Sequence, residues 1–127
     1  MDKIVVHNKR GRVMKGRVFN FSPNQPGFEF LPLEGELREV RFNDLKAVFF
    51  VRDFEGDATY NEVKAFAADS DHYKCRIEVR FKDGEVLVGA TMSEAGEHGF
   101  FLFPPDEKSN NLGLFCVSAA VESVKKL

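Results

Sequence analysis

The sequence predicts a mainly β protein, made of two tandem copies of one small five-stranded barrel unit related by approximate two-fold symmetry. Three observations carry that expectation. Short stretches alternate apolar and polar residues with a period of two, the mark of half-buried strands, and nowhere does the spacing fit an amphipathic helix of normal length. The stretch Val79-Arg80-Phe81-Lys82-Asp83-Gly84-Glu85-Val86-Leu87-Val88-Gly89 reads as a hairpin, because Asp83-Gly84 supplies the positive-φ residue of a tight turn and Gly89 marks a bend or a close backbone approach. That hairpin recurs 73 positions earlier, where Ile4, Val6, Gly11, Val13 and Gly16 match Ile77, Val79, Gly84, Val86 and Gly89. The match continues at an offset of 72, with Gly27-Phe28 and Pro32 meeting Gly99-Phe100 and Pro104. It returns to 73 for Phe42, Ala47, Val48 and Val51 against Phe115, Ala120, Val121 and Val124.

Taken in order, strands are expected at residues 3–6, 12–21 and 28–31, around Leu37, Val40 and Phe42, and at 46–51. Residues 22–27 carry two prolines and a glycine, which prevent ladder pairing and make a loop. Residues 43–45 suit a single helical turn. The run Ala47-Val48-Phe49-Phe50-Val51 is apolar on both faces, so it is expected to be buried on both, at the contact between the two copies. Strands of the second copy are expected at 76–82, 85–92, 100–103, 113–117 and 120–125. The first unit then spans 1–52 and the second 74–127. Between them, 53–73 is a linker rich in Asp53, Glu55, Asp57, Asp69 and Asp71, with a short helix or extended piece around residues 60–66. Residues 93–99 form an acidic loop and 104–111 a polar one.

Composition bounds the function more than it names it. A chain of 127 residues makes one ordinary domain or two very small ones sharing a core. Fourteen Phe and no Trp point to a core of phenyl rings. A net charge of −2 gives no overall attraction to nucleic acid. Cys75 and Cys116 have no metal or redox spacing and suit reduced thiols. The N-terminus lacks the apolar core of a signal peptide, and no apolar run reaches the ~18 residues of a membrane span, so the expected compartment is the cytoplasm with no membrane partner.

At Val79-x-Phe81-x-Asp83-Gly84-x-Val86-x-x-Gly89, and over Ile4-x-Val6 through Gly16-x-Val18, the chain resembles the first motif of Sm-like proteins. The resemblance implies a strongly bent, five-stranded, SH3-like barrel for each copy. Sm-like proteins that hold RNA bases place Asp and Asn before the third strand and Arg-Gly before the last. This chain has Asn20, Ser22, Asn24 and Gln25 in the first such loop, Ser93 and Glu94 in the second, and Arg52 followed by Asp53, so the RNA site does not carry over. Lys46-Ala47-Val48-Phe49-Phe50-Val51 and Ser22-Pro23-Asn24-Gln25-Pro26 also resemble an uncharacterised bacterial family of small domains, which implies a bacterial origin.

One local charge feature stands out: Lys9, Arg10, Arg12, Lys15 and Arg17, followed by Phe19, Phe21 and Asn24. Cations beside aromatic rings can hold phosphates and stack bases, whereas a charged edge strand can equally be a guard against aggregation. The P-loop reading of Gly11 and Gly16 fails for want of Lys-Ser/Thr and a following helix. His7, His72 and His98 lack ligand spacing, Asp53, Glu55 and Asp57 lack the calcium-loop pattern, and no nucleophile motif occurs, so no catalytic residue, metal or cofactor is expected. The expected function is a non-enzymatic bacterial adaptor or regulatory binding module with a protein partner, itself a monomer or homodimer. The alternative is single-stranded RNA binding through the basic and aromatic residues of the first copy.

Overall fold

Lys3, Val5 and His7 alternate with Ile4 and Val6, and β1 (Asp2–Asn8) accordingly buries Ile4 and Val6 completely while turning the others outward. Gly11, at φ +85°, reverses the chain, and the Asn8 side-chain oxygen accepts the backbone N–H groups of Arg10 and Arg12, each at 2.9 Å. There follow β2 (Val13–Val18), β3 (Gly27–Pro32), β4 (Arg38–Arg41), a helical turn (Phe42–Asp44) and β5 (Leu45–Val51). Then come β6 (Cys75–Phe81), β7 (Val86–Thr91), β8 (Gly99–Leu102), β9 (Asn111–Val117), a second turn (Ser118–Ala120) and β10 (Val121–Lys126). This computed structural model describes residues 2–56, 59–64, 75–91 and 96–127. Expectations that fell on Asp57, Phe66, Asp69, Asp71, His72, Met92, Ser93 and Glu94 lie outside the described residues. Among the described residues there is no α-helix, and the protein is mainly β, with every strand pairing antiparallel.

Seven strands form one curled sheet in the order β4-β3-β2-β1-β5-β9-β8, and three form another in the order β10-β6-β7. A bridge between Ala90 and Phe103 ties β7 to the end of β8, with N–H to O distances of 2.9 and 2.8 Å. β5, which contains the doubly apolar run 47–51, divides its side chains between two faces. Leu45 and Val48 enter a core with Ile4, Val6, Val18, Phe28, Phe30, Val40 and Phe42, while Ala47 enters another with Ile77, Val79, Phe81, Phe100 and Leu102. β9 does the same, giving Phe115 and Val117 to the first core and Leu114 and Cys116 to the second. The first core is largely phenyl: Phe21 lies 5.1–5.9 Å from the rings of Phe28, Phe42, Phe50, Phe101 and Phe115.

Pairings in the C-terminal half repeat those of the N-terminal half under fixed offsets. Ile4 opposite Gly16 becomes Ile77 opposite Gly89, an offset of 73 on both strands. Arg17 opposite Leu31 becomes Ala90 opposite Phe103, with an offset of 72 on the second strand. From β4 onward the offset is 76: Gly27 opposite Arg41 becomes Gly99 opposite Val117, and Val6 opposite Val48 becomes Val79 opposite Val124. Even the bulge recurs, after Leu45 in β5 and after Val121 in β10.

Two expectations are thereby corrected. The sequence match at 73 beyond residue 42 pairs the wrong residues: Phe42 and Phe115 are not counterparts but neighbours in one core, with ring centroids 5.1 Å apart. Nor is the relation between the halves two-fold. A two-fold relation that pairs β5 with β9, the counterpart of β4, would also pair β4 with β10, the counterpart of β5; β4 and β10 instead stand at the ends of separate sheets, so the halves join head to tail.

Candidate functional site

The second hairpin leaves an unused strand edge. Ala90 exchanges both backbone hydrogen bonds with Phe103 on the side of β7 away from β6. Residues two apart on a strand aim their N–H and C=O groups the same way, so those of Val86 and Val88 also point away from β6. In the first half the counterpart of Val88 is Lys15, whose carbonyl accepts the Leu33 N–H at 3.0 Å. The counterpart of Leu33 is Pro105, which has no N–H to give. Among the described residues pairing therefore stops at Ala90, and the edge of β7 opens onto a groove.

That groove has a volume of about 530 Å³. One wall is the outward face of the first half, with Val5, His7, Phe49 and Val51, flanked by Phe54. The other wall runs from Val86, Leu87 and Val88 past Leu102 to Pro104 and Pro105, with Leu114 between. Lys15, Glu62, Lys64 and Glu85 supply the charged rim. The floor is thus apolar, the rim charged, and one side offers free main-chain hydrogen bonding.

Three ionisable groups close the upper end. Lys46, only 12% exposed, sits 4.8 Å from the Phe81 ring centroid and pairs with Asp83 at 2.8 Å and with Glu85. Burial works against its charge, but the hydrogen bonds it donates to both carboxylates outweigh burial and raise its pKa, while Lys46 holds Asp83 below the usual carboxylate range. His7, whose ring centroid is 4.5 Å from that of Phe49, has its pKa lowered by burial first and by the Lys46 charge second. It is therefore a neutral packing residue at the groove wall at pH 7.

The lower end is fixed by a strap that the sequence did not announce. Arg52 donates from Nε to the Ser109 carbonyl at 3.1 Å and from a terminal nitrogen to that of Glu107 at 3.0 Å. Asn110 accepts the Asp53 N–H at 3.1 Å and donates to the Asp53 carbonyl at 2.9 Å. Farther on, the Tyr60 hydroxyl (2.6 Å) and the Val63 N–H (3.0 Å) both donate to Asp106, and Ser109, fully buried, donates to Glu62. Asp106 is held below its ordinary pKa by these donors, the Tyr60 hydroxyl most. So residues 104–111, expected as a polar loop, are engaged by Arg52, Asp53, Tyr60, Glu62 and Val63, in or next to the stretch expected as a solvated linker. Polar side chains without periodicity carry this contact, which is why no sequence pattern marked it.

The predicted basic and aromatic residues separate into four places. Lys9, Arg10 and Arg12 stand exposed at the first hairpin turn. Lys15 and Arg17 point outward from β2, and the Lys15 ammonium donates to the Phe54 carbonyl at 2.8 Å. Phe19 is exposed and Asn24 lies in the exposed part of the 19–26 loop. Phe21 is half-buried, its ring packed against the first core and so less open to a stacking base than Phe19. Among the described residues, no three His, Cys, Asp or Glu side chains gather to hold a metal, and no helix is long and apolar enough to cross a membrane. Cys75 is exposed and Cys116 buried, both free, and burial pushes the Cys116 thiol up to about 12.

Compared with known families, residues 1–127 match the model of a family of unknown function, DUF6982. The chain belongs to that family. No curated protein and no solved structure matches it.

Proposed function

We propose that this DUF6982 chain is a non-enzymatic protein-interaction module that takes an extended peptide segment along the β7 edge. One observation carries the reading: Val86 and Val88 present main-chain groups that no described residue pairs, beside an apolar groove of about 530 Å³. Such an edge adds a guest strand, the ladder giving affinity and side-chain pockets giving selectivity. The apolar floor suits a segment with apolar residues at every second position.

The same proposal includes the architecture. Residues 1–52 and 74–127 are read as two strongly bent, five-stranded barrels of the SH3-like kind in tandem, and 53–73 as the connection. Support comes from the strand order β4-β3-β2-β1-β5 and its counterpart, in which β9-β8, the Ala90–Phe103 bridge and β7-β6-β10 follow one another. Further support comes from equivalent turn bonds: Lys9 N–H to Asp44 O and Lys82 N–H to Ala120 O, and Phe42 N–H to Pro26 O and Ser118 N–H to His98 O.

Selection of displayed random peptides against the full chain tests the function. Val88→Pro removes only an N–H directed away from the β6 ladder, so it leaves the fold intact and should abolish capture of the selected peptides. Equal capture by Val88→Pro and the parent would overturn the reading. Single-stranded RNA binding has less support, since the Phe21 ring is half-buried against the first core and Lys15 is engaged; a titration with oligouridine at low salt should show no binding.

A further inference from the structure

We propose that the two outer edges, β10 of one copy and β4 of the next, associate head to tail by repeating the joint that β5 and β9 make inside each chain. β4 ends the seven-stranded sheet and β10 ends the three-stranded one. They are the counterparts, at an offset of 76, of β9 and β5 in the joint. The occupant of each edge is therefore a second copy of this chain, and the internal register says which residues meet. Ala47 opposite Cys116 and Val48 opposite Phe115 become Ser123 opposite Val40 and Val124 opposite Glu39. Phe50 opposite Gly113 and Val51 opposite Asn111 become Lys126 opposite Leu37 and Leu127 opposite Gly35.

Two independent features fit that meeting. The first is charge. Inside the chain the bulge residue Lys46 reaches across to Asp83 and Glu85 in the second hairpin turn. Its counterpart is Glu122, and the counterparts of Asp83 and Glu85 are Arg10 and Arg12. Every sign is reversed, so the pairing is kept: Glu122 of one copy faces Arg10 and Arg12 of the next, beside Arg41. Lys125 and Lys126 then run along Glu34, Glu36 and Glu39, with Lys125 against Arg38 as the single like-charge meeting. The second feature is exposed apolar surface. Leu37, Val124 and Leu127 are 52%, 49% and 61% exposed; Val124 lies on β10, Leu127 directly follows it and Leu37 directly precedes β4. The joint would cover them.

Sedimentation velocity of the full chain tests the joint. At about 50 mM salt the mean mass should rise with concentration, and at about 500 mM it should return to that of a single chain. Glu122→Lys should raise the dissociation constant about tenfold, and adding Arg10→Glu with Arg12→Glu in the same chain should recover it. In a Cys75→Ser background, Val124→Cys with Glu39→Cys should give disulfide-linked multimers, whereas Val124→Cys with Glu29→Cys should not. A single-chain mass at every salt and concentration overturns the proposal, as does association that Glu122→Lys leaves unchanged. Peptide capture at the β7 edge uses neither β4 nor β10, so either reading can fail alone.

Discussion

The inner joint between β5 and β9 and the outer edges β4 and β10 are the same structural positions filled with opposite chemistry. Inside, Val48, Phe49 and Phe50 meet Phe115, Leu114 and Gly113, and the strands feed two cores at once. Outside, the same positions carry Val124, Lys125 and Lys126, and on the other edge Glu39, Arg38 and Leu37. Apolar residues make the inner joint permanent, because separating it would expose both cores to water. Charged residues leave the outer edges soluble alone and open only to a partner of matching charge.

The largest expected contrast is between Phe115→Ala and Glu39→Ala, its counterpart. Phe115 is fully buried among rings, so truncation should cost ~3–5 kcal/mol, whereas Glu39→Ala should stay within ~0.5 kcal/mol; urea unfolding of both reads the difference. Next come Gly16→Ala and Gly89→Ala. A Cβ on Gly16 would overlap the Leu31 carbonyl and the Phe30 ring, and one on Gly89 would lie 2.6 Å from the Phe103 carbonyl, so each should cost ~1–3 kcal/mol. A markedly smaller loss at Gly89 would show that the single Ala90–Phe103 bridge yields where the full β2–β3 ladder cannot.

Lys46→Met should cost about 1 kcal/mol, since its partners Asp83 and Glu85 are half exposed and rehydrate, and Glu122→Met should cost nothing measurable in the separate chain. The smallest effect is in pH. His7 has a lowered pKa in the folded protein, so the unfolded chain binds its proton more readily, and stability should begin to fall as pH drops through 6.5 towards the folded value. His7→Gln should flatten that part of the profile. Asp83 and Asp106 are depressed as well, so their contribution is present above the ordinary carboxylate pKa of 3.8 and is lost as pH falls below it.

Much of the fold was legible because it depends on local rules. Period-two alternation located the strands, Gly11 and Gly84 located the turns at φ +85° and +96°, and the doubly apolar run 47–51 foretold a strand shared by two cores. The final offset was not legible. Phe42 and Phe115, and Ala47 and Ala120, are identical by residue type yet sit in unlike positions, and only the ladder register separates identity from equivalence. The site was the least visible part. Its edge exists because Pro105 stands where Leu33 stands in the first half, and its lower end is held by Arg52, Asn110 and Asp106 through contacts between residues 43–57 apart in sequence.

The two-core strand β5 also sets a schedule for synthesis. Residues 2–51 can complete β1 to β5 as soon as they emerge, yet the edge of β5 that carries Phe49 and Phe50 waits for β9, about 60 residues later. At ~5–20 residues per second the ribosome needs roughly 3–12 s to supply it. For that interval a nascent chain displays an unpaired, phenylalanine-rich strand, the kind that other nascent chains can capture. The hazard of this architecture is thus greatest before the protein is finished, and slowing translation between residues 52 and 111 should increase its aggregation more than the same delay placed after residue 117.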